Sequence, residues 1–265
     1  MTDLPDFQAL ALSRRGRCLT VAFNRPEVLN AFGPVMHHEF VAALEFAARD
    51  PGSDVIVLTG EGKAFSAGGD LDRMEEIIAD PDQFDAEAAD AKRIIFTLLD
   101  IEKPVIARVN GAAVGLGATI ALFCDMILAD ETAKIGDPHV KVGLVAGDGG
   151  AIIWPQLAGF PRAKEFLLTG RLLTGAEAAQ FGLVNHALPA DQLDARVDAL
   201  VDELIAGNTQ AIRWTKVTMN LELKRIAHAL MDPGIAYEAL SVRTAAHRDA
   251  VAALKAQIGA KKTRN

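Results

Sequence analysis

Alternating apolar and polar positions in Cys18–Phe23, joined to the apolar residues 10–12 through Ser13-Arg14-Arg15-Gly16, predict a β-hairpin near the start of the chain. The apolar spacing then changes to three and four residues over Pro34–Arg49, which predicts a helix ending at Asp50-Pro51-Gly52. Continuous apolar runs at residues 54–59, 104–109 and 126–129 read as buried strands. A helical stretch broken by Asp80-Pro81-Asp82 resumes over 83–99, and 116–123 reads as a short helix. Beyond about residue 161 the pattern is mostly helical, over 162–169, 175–181, 192–205, 209–230 and 233–258. A sheet-and-helix half followed by a helical tail predicts an α/β core with a helical C-terminal module.

Composition narrows the partners rather than the fold. A chain of 265 residues, half of them apolar, can bury a full core. The net charge of −8 gives no electrostatic footprint for nucleic acid, and the only dense basic run, Lys261-Lys262-Thr263-Arg264-Asn265, reads as a solvated end. Cys18 and Cys124 stand in apolar runs, so both are expected as buried thiols of a reducing compartment. The acidic start, Met1-Thr2-Asp3-Leu4-Pro5-Asp6, has no signal core, and no run reaches the roughly 18 apolar residues of a membrane span. These features predict a cytoplasmic protein with neither a membrane nor a nucleic acid as partner.

Two glycine turns carry the first chemical signal. They are Ala64-Phe65-Ser66-Ala67-Gly68-Gly69-Asp70 and Asn110-Gly111-Ala112-Ala113-Val114-Gly115-Leu116-Gly117, each expected at the end of a buried strand. Such turns can aim backbone N–H groups into one pocket, where they hold an oxygen that gains negative charge during a reaction. Nucleotide signatures do not fit: Gly60-Glu61-Gly62-Lys63 lacks the phosphate-loop spacing, and no strand-turn-helix stretch reads G-x-G-x-x-G. Ser66 misses the spacing of a nucleophile elbow. The histidines show no metal-ligand spacing, so no metal is expected; His37, His38, His186, His228 and His247 read as surface or core residues. His139, after Asp137-Pro138, has a structural and a catalytic reading. Asp148, in a glycine-lined turn before an apolar helix, is either an N-cap or a base whose pKa is raised by burial.

In four segments the chain resembles the enoyl-CoA hydratase/isomerase, or crotonase, superfamily. They are Asn24-Arg25-Pro26-Glu27-Val28-Leu29-Asn30-Ala31, residues 62–71, Lys103-Pro104-Val105-Ile106-Ala107-Arg108-Val109-Asn110-Gly111, and Thr169-Gly170-Arg171-Leu172-Leu173-Thr174. Further agreement at 182–185 and 211–216 extends the resemblance over about residues 10–255. The resemblance implies a crotonase-like (ClpP/crotonase) α/β spiral of ββα units over 1–195. It also implies a C-terminal helical trimerisation region over 196–265, and a homotrimer or dimer of trimers. The implied ligand is an acyl-CoA thioester, with coenzyme A as part of the substrate and no separate cofactor. Gly69 and Leu116 would supply the two N–H groups for the thioester oxygen. CoA would lie along Arg25, Val28 and the backbone of Ala67, Gly68, Asp70 and Leu71. Lys63 is either a phosphate neighbour or a solvated lysine.

The chain departs from the resemblance where hydratases carry two glutamates, because those positions hold Thr119 and His139. Asp148 occupies a turn where several branches place a lone acidic residue, so double-bond isomerisation with Asp148 as the base is the favoured expectation. Hydration by Asp148 with His139, carbon–carbon bond hydrolysis by a His/Asp pair, and an inactive acyl-CoA-binding protein stand beside it. Met74, Ile77, Ile78 and Phe84 are expected to face the acyl chain or to pack in the core.

Overall fold

The computed structural model describes residues 3–262. β1 (Leu10–Arg15) and β2 (Cys18–Phe23) form the expected hairpin, with Leu10 opposite Phe23 and Arg15 opposite Cys18. The first strand runs further than its apolar residues because Gly16, at φ 57°, and Arg17 suffice for the turn. β3 (Val55–Gly60), β5 (Val105–Val109), β7 (Met126–Asp130) and β10 (His186–Leu188) continue the sheet in parallel, in the order β1-β2-β3-β5-β7-β10. Parallel strands covered on both faces favour continuous apolar runs, which is why β3, β5 and β7 were legible.

After each of those three strands the chain turns into a three-residue strand of a second sheet. These are β4 (Ala64–Ser66), β6 (Ala112–Val114) and β8 (Lys134–Gly136), parallel to one another and closed by the antiparallel β9 (Leu173–Thr174). Three residues are too few to show a period, so the hydrophobic pattern carries no sign of this sheet. The glycine turns therefore follow β4 and β6, not the long strands that precede them. Because β4 and β6 pair, the two turns are neighbours.

Helices wrap this double sheet: α1 (Pro34–Arg49), α2 (Leu71–Ala79), α3 (Phe84–Asp100), α4 (Leu116–Leu122), α5 (Gly150–Ala158), α6 (Phe160–Thr169), α7 (Gly175–Gln180), α8 (Ala190–Ala206), α9 (Thr209–Val242) and α10 (Ala245–Lys262). A long strand, a short strand and a helix recur as β3-β4-α2, β5-β6-α4 and β7-β8-α5. This is the ββα spiral. Its centre is aromatic: the Phe23 ring meets Phe32, Phe40 and Phe65 edge-on at centroid distances of 5.3, 5.0 and 5.2 Å. Phe32 and Phe65 tie this core to the first glycine turn. Cys18 and Cys124 are free, buried thiols, as expected.

The C-terminal half corrects one helix boundary. Pro233 was expected to separate two helices, yet α9 runs through it to Val242 and the break falls at Arg243 and Thr244. Tertiary packing outweighs the lost hydrogen bond here: Met231 is fully buried, and Gly234 lies against Gly147 so closely that a Cβ on Gly147 would stand 2.3 Å from the Gly234 carbonyl oxygen. Lys216 anchors the first half of α9, donating to the Lys103 carbonyl at 2.8 Å and pairing with Asp125 at 2.7 Å. The division drawn after residue 195 falls inside α8, whose Leu193, Val197 and Val201 share one apolar cluster with Val57, Ile106 and Leu128 of the sheet. Among the described residues no helix is long and apolar enough to cross a membrane. Residues 1–2 and 263–265, with most of the expected solvated tail, lie outside the described residues.

Candidate active site

The first glycine turn exposes one N–H by strand geometry. Phe32 and Gly69 form a parallel bridge, in which Phe32 N–H donates to the Gly68 carbonyl at 2.7 Å and Asp70 N–H donates to the Phe32 carbonyl at 2.9 Å. Successive groups along an extended chain point to opposite sides, so the Gly69 N–H turns away from Phe32 and has no partner among the described residues. The second turn exposes another by helix geometry. Leu116 opens α4, where an N–H has no carbonyl to reach within the helix, and all of α4 is buried. Two unpaired N–H groups beside a buried cavity call for an acceptor. Gly69 and Leu116 line the same cavity.

Glycine is required for the two turns to touch. Gly68 has φ +85°, and a Cβ there would stand 2.5 Å from the Val114 carbonyl oxygen. Behind them, Asn30 fixes the loop that follows β2. Its Nδ2 donates to the carbonyls of Glu61 and Ala64 at 2.9 and 2.8 Å, and its Oδ1 accepts the Arg25 N–H at 2.8 Å. Ser66 is part of the same frame: its hydroxyl donates to the Asn30 carbonyl at 2.8 Å and accepts the Gly68 N–H at 3.2 Å, which gives this serine a structural role.

A second cleft runs outward from the turns. It is lined by Val28, Ala67, Gly68, Asp70 and Leu71, together with Leu254 and Lys255 of α10, and it shares Gly69, Asp70, Met74 and His139 with the inner cavity. Arg25 is not among the residues lining the cleft; it donates to the Ala31 carbonyl at 3.1 Å and stands 3.6 Å from Asp70. Lys63 is exposed on the turn before β4 and does not line it. Of the apolar residues expected around the acyl chain, Met74, Ile77 and Phe84 line the inner cavity and Ile78 does not.

Acid–base groups converge on the same cavity, with His139 Cε1 3.6 Å from where a Cβ on Gly115 would stand. His139 begins the 3-10 turn His139–Val142, and its Nδ1 is hydrogen-bonded to the Asp137 carboxylate two residues earlier. Its Nε2 faces Asp148 Oδ2 at 3.7 Å and Glu238 Oε1 at 3.9 Å. Asp148 Oδ1 accepts the Thr119 hydroxyl at 3.2 Å and the Gly150 N–H at 3.3 Å, which leaves Oδ2 turned to the imidazole. The N-cap of α5 is Gly149 rather than Asp148, which stands one residue earlier and accepts the N–H of the first helical residue.

The sequence missed Glu238. This residue comes from α9, brought in by the contact of Gly147 with Gly234, and both it and Asp148 line the cavity with Gly69 and Leu116. Asp148 therefore does not stand alone, contrary to expectation. A signal was present: Glu238 interrupts the buried side of α9, between Ile235 and Val242 at helical spacing. Such a charge inside an apolar stripe needs a partner.

Burial sets the protonation of this group. Burial alone would lower the pKa of His139, but the carboxylates of Asp137, Asp148 and Glu238 outweigh it and hold the imidazole well above its usual value. Burial raises Asp148, opposed chiefly by the charge of His139. Burial likewise pushes Glu238 up to about 8, again opposed by His139. Near neutral pH the cavity thus holds a protonated imidazole beside Glu238, whose acid form is favoured. The ligand atoms of Asp137, His139 and Asp148 lie within 4.8 Å of one another, a grouping that sequence spacing had not shown. The Asp137–His139 hydrogen bond fixes the orientation of the imidazole within this group.

The sequence profile described as enoyl-CoA hydratase/isomerase matches residues 14–241. A crystal structure of an enoyl-CoA hydratase/isomerase from Mycobacterium paratuberculosis superposes with a TM-score of 0.89 at 33% identity, covering 94% of this chain and 99% of that one. A crotonyl-CoA hydratase from Syntrophomonas wolfei is 32% identical, over 81% of this chain and 82% of its own length. A 2,3-dehydroadipyl-CoA hydratase from Escherichia coli is 36% identical, over 69% of this chain and 70% of its own.

Proposed function

The chain belongs to the enoyl-CoA hydratase/isomerase family, whose members act on acyl-CoA, and from that premise we propose that it adds water to a 2-enoyl-CoA thioester. One observation carries this reading: Asp148 and Glu238 flank His139 Nε2 in a cavity that also holds Gly69 and Leu116. In the proposed reaction the thioester oxygen accepts the N–H groups of Gly69 and Leu116. Asp148 takes a proton from water as its oxygen bonds to C3, and the electron pair moves to the thioester oxygen as an enolate. Glu238 then gives its proton to C2. Water is thereby added in full, with a hydroxyl on C3 and a hydrogen on C2. The proton left on Asp148 returns to Glu238 through His139, which stands between them.

CoA would occupy the outer cleft along Val28, Ala67, Gly68, Asp70 and Leu71. Assembly into a homotrimer or a dimer of trimers belongs to the same proposal. It is supported by Trp214, Met219, Leu221, Tyr237 and Leu240, each more than half exposed on α9. Sedimentation at micromolar concentration is expected to show a multiple of three chains, and a monomer would remove this part.

Loss of the conjugated enoyl absorbance on mixing with crotonyl-CoA tests the reaction. Conversion of a 3-enoyl-CoA to its 2-enoyl isomer without water addition would replace hydration with isomerisation. Tight binding of CoA thioesters with no turnover would leave a binding protein.

The pH profile examines Glu238 separately. Its folded pKa is raised to about 8 and the proposed step uses its protonated form, so kcat is expected to fall as pH rises through about 8. Glu238→Gln should lower kcat by about 10²-fold or more and remove that alkaline limb. A variant that keeps the wild-type limb would exclude Glu238 as the donor.

A further inference from the structure

The inner cavity holds polar side chains, His37, Arg73 and Glu87, that the proposed reaction does not use. His37, on the first turns of α1, lines the cavity and is 7% exposed. Its Nδ1 is buried without a hydrogen-bond partner among the described residues. Its ring packs edge-on against Phe32, with centroids 5.2 Å apart, and Phe32 is the residue whose backbone brackets Gly69. The imidazole thus lies one aromatic ring beyond the thioester site. Burial, and then the charge of Arg73, lower its pKa to about 4, so at neutral pH it presents one nitrogen donor and one acceptor.

A buried imidazole nitrogen without a partner bears the full desolvation of that atom. Arg73 and Glu87 line the same cavity, but they are committed to each other. Arg73 donates to Glu87 at 2.5 Å and to Glu76 and Gln83 at 2.6 Å each. A carboxylate entering here would meet two carboxylates around one guanidinium, and a cation would meet Arg73 itself. An uncharged group that accepts or donates a hydrogen bond meets neither objection. The remaining lining, including Met74, Ile77, Phe84 and Ala88, is apolar and suits a carbon chain.

We propose that His37 is a specificity determinant for an acyl chain carrying an uncharged oxygen function, a hydroxyl or a keto group, beyond its reacting carbons. The proposal rests on the reading of this cavity as the acyl site of a CoA thioester. It concerns recognition rather than chemistry, so binding can test it without turnover.

The probes are saturated acyl-CoA thioesters of increasing chain length and the same series with a hydroxyl or keto group on the last carbon, titrated calorimetrically into the full-length protein. At one chain length the oxygenated member is expected to bind about tenfold or more tightly than the plain one. In His37→Phe that ratio should fall toward one, and His37→Gln, which keeps a donor and an acceptor, should retain part of it. Equal binding of both series at every length would mean that His37 serves only a water molecule, and it overturns the proposal. A ratio unchanged in both variants does the same. A preference that holds in binding while the matching 2-enoyl thioesters are not hydrated would sink the reaction and leave the subsite standing.

Discussion

Asp148→Asn is expected to lower kcat for hydration of crotonyl-CoA by about 10²–10⁴-fold, the usual loss when a positioned general base is removed. Asparagine is nearly isosteric, and its carbonyl oxygen can still accept from the Thr119 hydroxyl and the Gly150 N–H that hold the side chain in place. The fold around α5 should therefore survive, and circular dichroism and Tm should stay close to wild type. Only the second oxygen changes, the one facing His139 at 3.7 Å, from a proton acceptor to an amide nitrogen. Thr119→Val should cost far less than Asp148→Asn, since it removes one of two hydrogen bonds that orient the carboxylate. Turnover by Asp148→Asn within threefold of wild type would take Asp148 out of the mechanism, whatever the stability of the variant.

Gly68→Ala tests the other half of the site and is expected to abolish measurable activity while also destabilising the fold. At φ +85° an alanine is strained by about 1–2 kcal/mol. The larger effect is steric, because its methyl would lie 2.5 Å from the Val114 carbonyl oxygen, a backbone atom that cannot swing aside. The turns must separate. That moves the Gly69 N–H relative to Leu116, and loss of one donor to a developing oxyanion costs about 10²–10³-fold in rate. Gly16→Ala is the control, since Gly16 also has positive φ, at +57°, but nothing lies within 4 Å of its added Cβ. The backbone strain is comparable, so wild-type turnover in Gly16→Ala beside a dead Gly68→Ala would attribute the loss to the contact between the turns. Equal activity in the two variants would remove the convergence argument.

Much of this site was legible because its demands are local. The helix Pro34–Arg49 was predicted to the residue, since proline fixes its start and Asp50-Pro51-Gly52 its end. Glycines at Gly68 and Gly115 announced turns because only glycine adopts their backbone angles cheaply. Legibility failed where the signal was too short or came from far along the chain. β4, β6 and β8 are three residues each, held by pairing with one another rather than by any pattern of their own. Pro233 misled because a local rule met a tertiary contact: the buried Met231 and the Gly147–Gly234 approach keep α9 helical past it.

The sequence by itself determined the periodic elements, the places where the backbone must bend sharply, and the resemblance to a family whose members act on acyl-CoA. Tertiary structure alone decided which titratable groups share a cavity. Asp137, His139 and Asp148 come from one stretch of chain, but Glu238 arrives from a helix that begins at Thr209, and His37 from another that begins at Pro34. Their protonation was equally out of reach of the sequence. A carboxyl raised to about 8 and an imidazole lowered to about 4 owe their shifts to exclusion of water and to neighbours brought close by packing. Both causes act through space, and neither leaves a mark on the residues next to them in the chain.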